Sequence, residues 1–140
     1  MKAKAICDGR GNSGTGARAV VLTLENGKII ERAERLKPCT NIVAEHLSIQ
    51  LAVEMAIEHG VDRLLILNDS QTPVRHVNGE YAIKAEHLRP IVERTWELGR
   101  RLDKVRIEWT RRENTLRADE LCREVDSEPD EPPEWLWKNL

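Results

Sequence analysis

The chain has 140 residues, 33% of them charged and 40% hydrophobic, with a formal net charge of −2. That length fits one domain with its own core, and the balance excludes a disordered or fibrous chain. No apolar run approaches membrane-span length, and Met1-Lys2-Ala3-Lys4 leads into a strand with no secretory apolar stretch, so a cytoplasmic protein is expected.

Cys7, Cys39 and Cys122 are odd in number and widely spaced, which argues against a zinc site or a disulfide framework and for buried or half-buried thiols. Charge is uneven along the chain. From Glu124 onward six acids face Lys138 alone, a balance of −5 that leaves +3 on the first 123 residues. The globular part is thus mildly basic, a weak pointer to a polyanion, and the end is acidic.

Residues 3–8 read as a strand closing on Asp8, and the glycines of 9–16 read as a turn. Residues 17–24 form a second strand, Asn26-Gly27 a hairpin turn, and residues 29–36 a third, antiparallel strand. Thr40 or Asn41 caps a long helix running to about His59, with Ala44, Leu47, Leu51, Ala52, Met55 and Ala56 on its apolar face and Gly60 as its stop.

Arg63 to Leu67 is a strand buried on both faces. A short helix follows from about Pro73 to Asn78-Gly79, then a longer one over residues 85–101. Val105 to Trp109 is a fifth strand, and Asn114 or Thr115 opens a last helix to about Val125. The order β-β-β-α-β-α-α-β-α predicts an α/β fold: a mixed five-stranded sheet, three antiparallel strands then two parallel to the first, with helices on both faces. Residues 1–125 form this domain. Residues 126–140 form an acidic, proline-containing tail whose Trp135 and Trp137 predict self-packing, self-association or docking on a protein partner.

Four carboxylates carry the chemistry. Asp8 and Asp69 each close an apolar strand run, Glu45 lies in the first turns of the long helix, and Asp119 lies near the start of the last. Ligands gather at the carboxyl ends of strands in such sheets, and helix N-termini favour carboxylates. Gathered carboxylates repel unless divalent cations sit between them, and oxygen ligands select magnesium or manganese. Two such ions support in-line attack on a phosphodiester. Taken singly, each acid has an ordinary reading as a turn, cap or surface residue. His46, His59, His76 and His87 match no ligand spacing, and a packing role is expected for His46.

In combination these motifs resemble the type 1 ribonuclease H family, in its compact form without the basic protrusion. Asp8-Gly9-Arg10-Gly11-Asn12-Ser13-Gly14 is similar to the family's first-strand motif, with Ser13 where proline is common. Thr40-Asn41-Ile42-Val43-Ala44-Glu45 is similar to its helix motif, Asp69-Ser70-Gln71 to its third, and Arg112-Glu113-Asn114 with Ala118-Asp119-Glu120-Leu121 to its fourth. Asn78-Gly79-Glu80-Tyr81 and Leu88-Arg89-Pro90 resemble the linking segment of the compact branch.

The resemblance implies that Asp8, Glu45, Asp69 and Asp119 hold two Mg²⁺ ions, with Mn²⁺ able to substitute. It implies hydrolysis of the RNA strand of an RNA/DNA hybrid to 5′-phosphate and 3′-hydroxyl ends. Gly9, Arg10, Asn12, Asn41, Ser70, Gln71, Arg111 and Arg112 then belong to the substrate-binding set, the amides reading the 2′-hydroxyl through the minor groove. Alternatives are a related nuclease acting on double-stranded RNA, and a non-catalytic nucleic-acid-binding module on the same fold.

Three departures from the pattern matter. The first turn is about two residues shorter than the common form, which brings Arg10 beside the metals. The spacing from Asn114 to Asp119 is one residue longer, which threatens the placement of Asp119. No histidine lies between Trp109 and Asp119, where many members carry one that helps product release, leaving Arg111 or Arg112 to substitute. Modest turnover is expected.

Overall fold

The computed structural model describes residues 1–127. The expectations for Trp135 and Trp137 lie outside the described residues. The sheet order is β3-β2-β1-β4-β5, where β1 is Lys2–Gly11, β2 Gly16–Leu24, β3 Ile29–Arg35, β4 Arg63–Asn68 and β5 Lys104–Trp109. β1, β2 and β3 pair antiparallel, while β4 joins β1, and β5 joins β4, in parallel. The expected mixed sheet is what forms. No helix among the described residues is long and apolar enough to cross a membrane.

The helices are α1 (Asn41–Glu58), α2 (Gln71–Val77), α3 (Arg89–Gly99) and α4 (Leu116–Asp126), with short 3₁₀ turns at Glu86–Leu88 and Arg112–Asn114. Thr40 caps α1, its Oγ1 accepting from the Val43 amide at 3.3 Å. Alternation in the strands sends Ala5, Cys7, Val20, Leu22, Leu64 and Ile66 to one face, where they pack against Ile49, Val53 and Met55 of α1. The opposite face is covered in part by α4, where Leu121 and Cys122 pack on Ala17 and Ala19. Cys7 and Cys122 are buried and Cys39 is half-buried, all three as free thiols.

Three boundaries differ from expectation. β1 does not stop at Asp8: Gly9, Arg10 and Gly11 pair with Arg18, Ala17 and Gly16, so only residues 12–15 turn. α2 begins at Gln71, two residues before Pro73. The expected helix over 85–101 is a 3₁₀ turn followed by α3, which starts at Arg89-Pro90 because proline suits the first helical turn.

Candidate active site

The site lies where the carboxyl ends of β1 and β4 meet α1 and α4. Parallel pairing of β1 and β4 ends at Ile6–Leu67. The buried Asn68 side chain continues the join, its Nδ2 donating to the Cys7 carbonyl at 3.3 Å while its Oδ1 accepts from the Ser70 amide at 2.8 Å. Asp8 and Asp69 are thereby held side by side beyond the last ladder bond. The Trp109 indole, at the end of β5, donates to the Asp69 carbonyl at 3.0 Å and fixes the backbone there.

Glu45 comes from α1, and glycine makes its approach possible. A Cβ on Gly9 would lie 2.2 Å from the Ala44 carbonyl oxygen, and one on Gly11 would lie 2.3 Å from that of Cys39. Neither glycine has a positive φ, so what they supply is clearance. Across the gap the Gly9 amide donates to Glu45 Oε1 at 2.5 Å.

Asp8, Glu45 and Asp69 each present an oxygen within 4.8 Å of the others. Glu45 is 2% exposed and Asp8 7%. Glu45 Oε2 is fully buried and receives no hydrogen bond. Burial, followed by the neighbouring Asp8 charge, pushes the Glu45 carboxyl well up; burial, with Asp69 and Asp119 nearby, also raises Asp8. An oxygen so placed needs a proton or a cation, and hard oxygen donors in this number fit a divalent metal.

Asp119, in the first turn of α4, lines the same cleft as the other three acids. The longer spacing therefore does not expel it. Instead Asn114 turns away, its Nδ2 bonding Thr110 Oγ1 at 2.9 Å. Asp119 Oδ2 is held by Arg123 Nε at 3.0 Å and approached by Arg112 at 4.0 Å.

Of the other expected residues, Gly9, Arg10, Asn41, Ser70 and Arg112 line the cleft. Arg10 leans toward Asp126 at 3.6 Å. Asn41 Oδ1 accepts from the Gly11 amide at 3.3 Å. Asn12, Gln71 and Arg111 stand outside the cleft lining. Asn12 Oδ1 closes its own turn by accepting from the Gly14 and Thr15 amides. Gln71 borders a neighbouring hollow with Arg75 and Trp109. Arg111 is 76% exposed and faces Glu113. His46 is buried, in keeping with a packing role, its Nε2 3.0 Å from Nδ1 of His76, which is also buried.

Two residues of the site escape sequence reasoning. Arg123 had a readable signal, its i,i+4 spacing from Asp119. Thr115 had none: its hydroxyl reaches Asp69 Oδ2 at 2.8 Å across a sequence gap no pattern spans.

A family model described as reverse transcriptase-like matches residues 6–125. The bifunctional protein Rv2228c of Mycobacterium tuberculosis is 27% identical over 89% of this chain and 35% of its own length. The chain thus spans about a third (35%) of the length of the curated relatives it matches. Ribonuclease H1 of the halophilic archaeon Halobacterium salinarum superposes with a TM-score of 0.85 at 27% identity, covering 89% of this chain and 97% of that one. A ribonuclease H1 named LC11, solved with an RNA/DNA hybrid, gives 0.81 at 27% identity, covering 89% and 96%. The N-terminal ribonuclease H domain of Rv2228c gives 0.84 at 21% identity, covering 89% and 93%, a likeness of fold.

Proposed function

We propose, from the premise that this chain belongs to the reverse transcriptase-like family and carries a type 1 ribonuclease H domain, that it cleaves the RNA strand of RNA/DNA hybrids as a metal-dependent endonuclease. The observation that carries the reading is the close triad of buried Asp8, buried Glu45 and half-buried Asp69, with an undonated Glu45 oxygen, in one cleft with Asp119. The hybrid bound by the LC11 relative supports the substrate class.

Asp8, Glu45 and Asp69 would hold one Mg²⁺ or Mn²⁺ ion, and Asp8 with Asp119 a second. Bound divalent cations polarise the phosphate, ionise the attacking water and stabilise the departing 3′ oxygen. The protein supplies placement. Gly9 fixes one Glu45 oxygen through its amide, while the other is buried without a hydrogen-bond donor. Arg112 and Arg123 partly neutralise Asp119 beside the incoming phosphate. Asn41 and Ser70 offer short polar groups able to bond a 2′-hydroxyl, which DNA lacks.

The test uses end-labelled RNA/DNA hybrid, double-stranded RNA and double-stranded DNA, in magnesium and in manganese, with Asp69→Asn alongside. Cleavage of the hybrid's RNA strand alone, abolished in Asp69→Asn, is the expected result. Cleavage of double-stranded RNA in preference to the hybrid would replace the substrate. Failure to cut any duplex in either metal would end the reading.

A further inference from the structure

Thr115 stands at the N-cap of α4, where a threonine normally turns its hydroxyl to the first helical amides. Here it makes no such bond. The side chain is fully buried, and its Oγ1 lies 2.8 Å from Asp69 Oδ2 and 3.0 Å from the Arg112 carbonyl. A hydroxyl has one proton. With a carboxylate and a neutral carbonyl in reach, that proton goes to the carboxylate, the stronger acceptor.

Asp69 is therefore gripped at two points. Trp109 holds its backbone carbonyl and Thr115 holds one carboxylate oxygen. Thr115 also sits directly on the path to Asp119, whose amide donates to the Thr115 carbonyl at 3.0 Å. One residue thus touches Asp69 through its side chain and Asp119 through its backbone. Asn114, the polar residue that the motif offers here, bonds Thr110.

We propose that Thr115 is a positioning residue for the metal site: its hydroxyl orients the Asp69 carboxylate and, from the start of α4, links that helix to the end of β4, so that Asp69 and Asp119 share one cleft. The role rests on the metal-dependent reading of that cleft. Partners that orient metal ligands typically influence affinity or activity by about 10–100-fold.

The test is Mn²⁺ titration by calorimetry on wild type, Thr115→Val and Thr115→Ser, with hybrid cleavage measured against Mn²⁺ concentration. Valine keeps the shape and removes the donor; serine restores the donor. Thr115→Val should weaken Mn²⁺ binding about tenfold and shift the activity midpoint equally, while Thr115→Ser stays within about threefold of wild type. In an Asp69→Asn background Thr115→Val should add nothing, since it acts through Asp69. If Thr115→Val does not fold, Thr115→Cys, a weak donor of similar size, takes its place. Wild-type Mn²⁺ affinity in the folded donor-deficient variant, or equal loss in the Ser and Val variants, overturns the proposal. A wild-type protein that binds Mn²⁺ but cuts no hybrid defeats the ribonuclease reading alone, because the calorimetry still judges Thr115.

Discussion

Gly9 and Glu45 are joined by a 2.5 Å hydrogen bond that exists because residue 9 has no side chain: a Cβ there would stand 2.2 Å from the Ala44 carbonyl oxygen. The strand and the helix touch backbone to backbone at the point where the acid must be delivered.

Gly9→Ala should therefore harm both fold and site. Backbone must move, since the obstructing atoms are not a flexible side-chain end, and overpacking of this kind destabilises by about 3 kcal/mol. Displacing Glu45 by about 1 Å should lower hybrid cleavage on the order of a hundredfold. Urea unfolding and single-turnover rates read the two effects. An alanine variant with wild-type stability and rate would show that α1 can retreat freely.

Metal-free stability should fall as pH rises. Burial and mutual repulsion raise Asp8 from 3.8 to about 7 and Glu45 from 4.5 to about 9. Both acids hold their protons more tightly folded than unfolded, so their contribution is full below the unfolded values and is lost as pH climbs through the folded ones. In a chelator the melting temperature should drop between pH 6.5 and 9, and Glu45→Gln should flatten that drop. Added Mg²⁺ should raise the melting temperature most at pH 9, where no protons compete for the oxygens. A flat chelator profile, or a metal effect largest at pH 6, would contradict the buried-carboxylate account.

An opposite limb should appear in acid. His46 is driven down from 6.5 to about 4 by burial and by His76, and burial also lowers His76. Here the folded state binds protons less well than the unfolded chain, so stability present above pH 6.5 is lost as pH falls toward 4. His46→Gln is neutral at every pH and can donate or accept toward His76 Nδ1, so from pH 7 to 5 its melting temperature should change more favourably than that of wild type. Thermal melts at the two pH values decide it; identical losses would place the acid lability elsewhere.

Arg111 and Arg112 are neighbours in sequence with different surroundings. Arg112 lines the cleft beside Asp119, whereas Arg111 points to Glu113 in solvent. Arg112→Ala should raise KM for the hybrid several-fold and lower the salt slope of binding by about one. Arg111→Ala should change both by less than twofold. Steady-state kinetics at two salt concentrations separate them, and a reversed order would mean that substrate approaches from the other side of the 3₁₀ turn.

Much of this was legible from the residues. Alternation and the Asn26-Gly27 turn revealed the meander, and the three positive-φ glycines, Gly27, Gly60 and Gly79, each read as turn or stop. Asp8 and Asp69, read as the closing residues of two apolar runs, line one cleft, although β1 itself runs on to Gly11. Gly9 and Gly11 were misread because a glycine that clears space for a helix looks, in one dimension, like a glycine that turns. Thr115 was invisible for a related reason: its role depends on a contact with Asp69 across the fold, while its local context is that of an ordinary cap.

The four acids of the cleft come from β1, α1, the end of β4 and α4, and so from residue 8 to residue 119. During synthesis the first three can meet while α4 is still inside the ribosome, but the cleft lacks its last wall until α4 docks on β2 and β3. On the metal-dependent reading proposed above, a nascent chain would carry no finished nuclease centre near the messenger it is read from until α4 has emerged and docked.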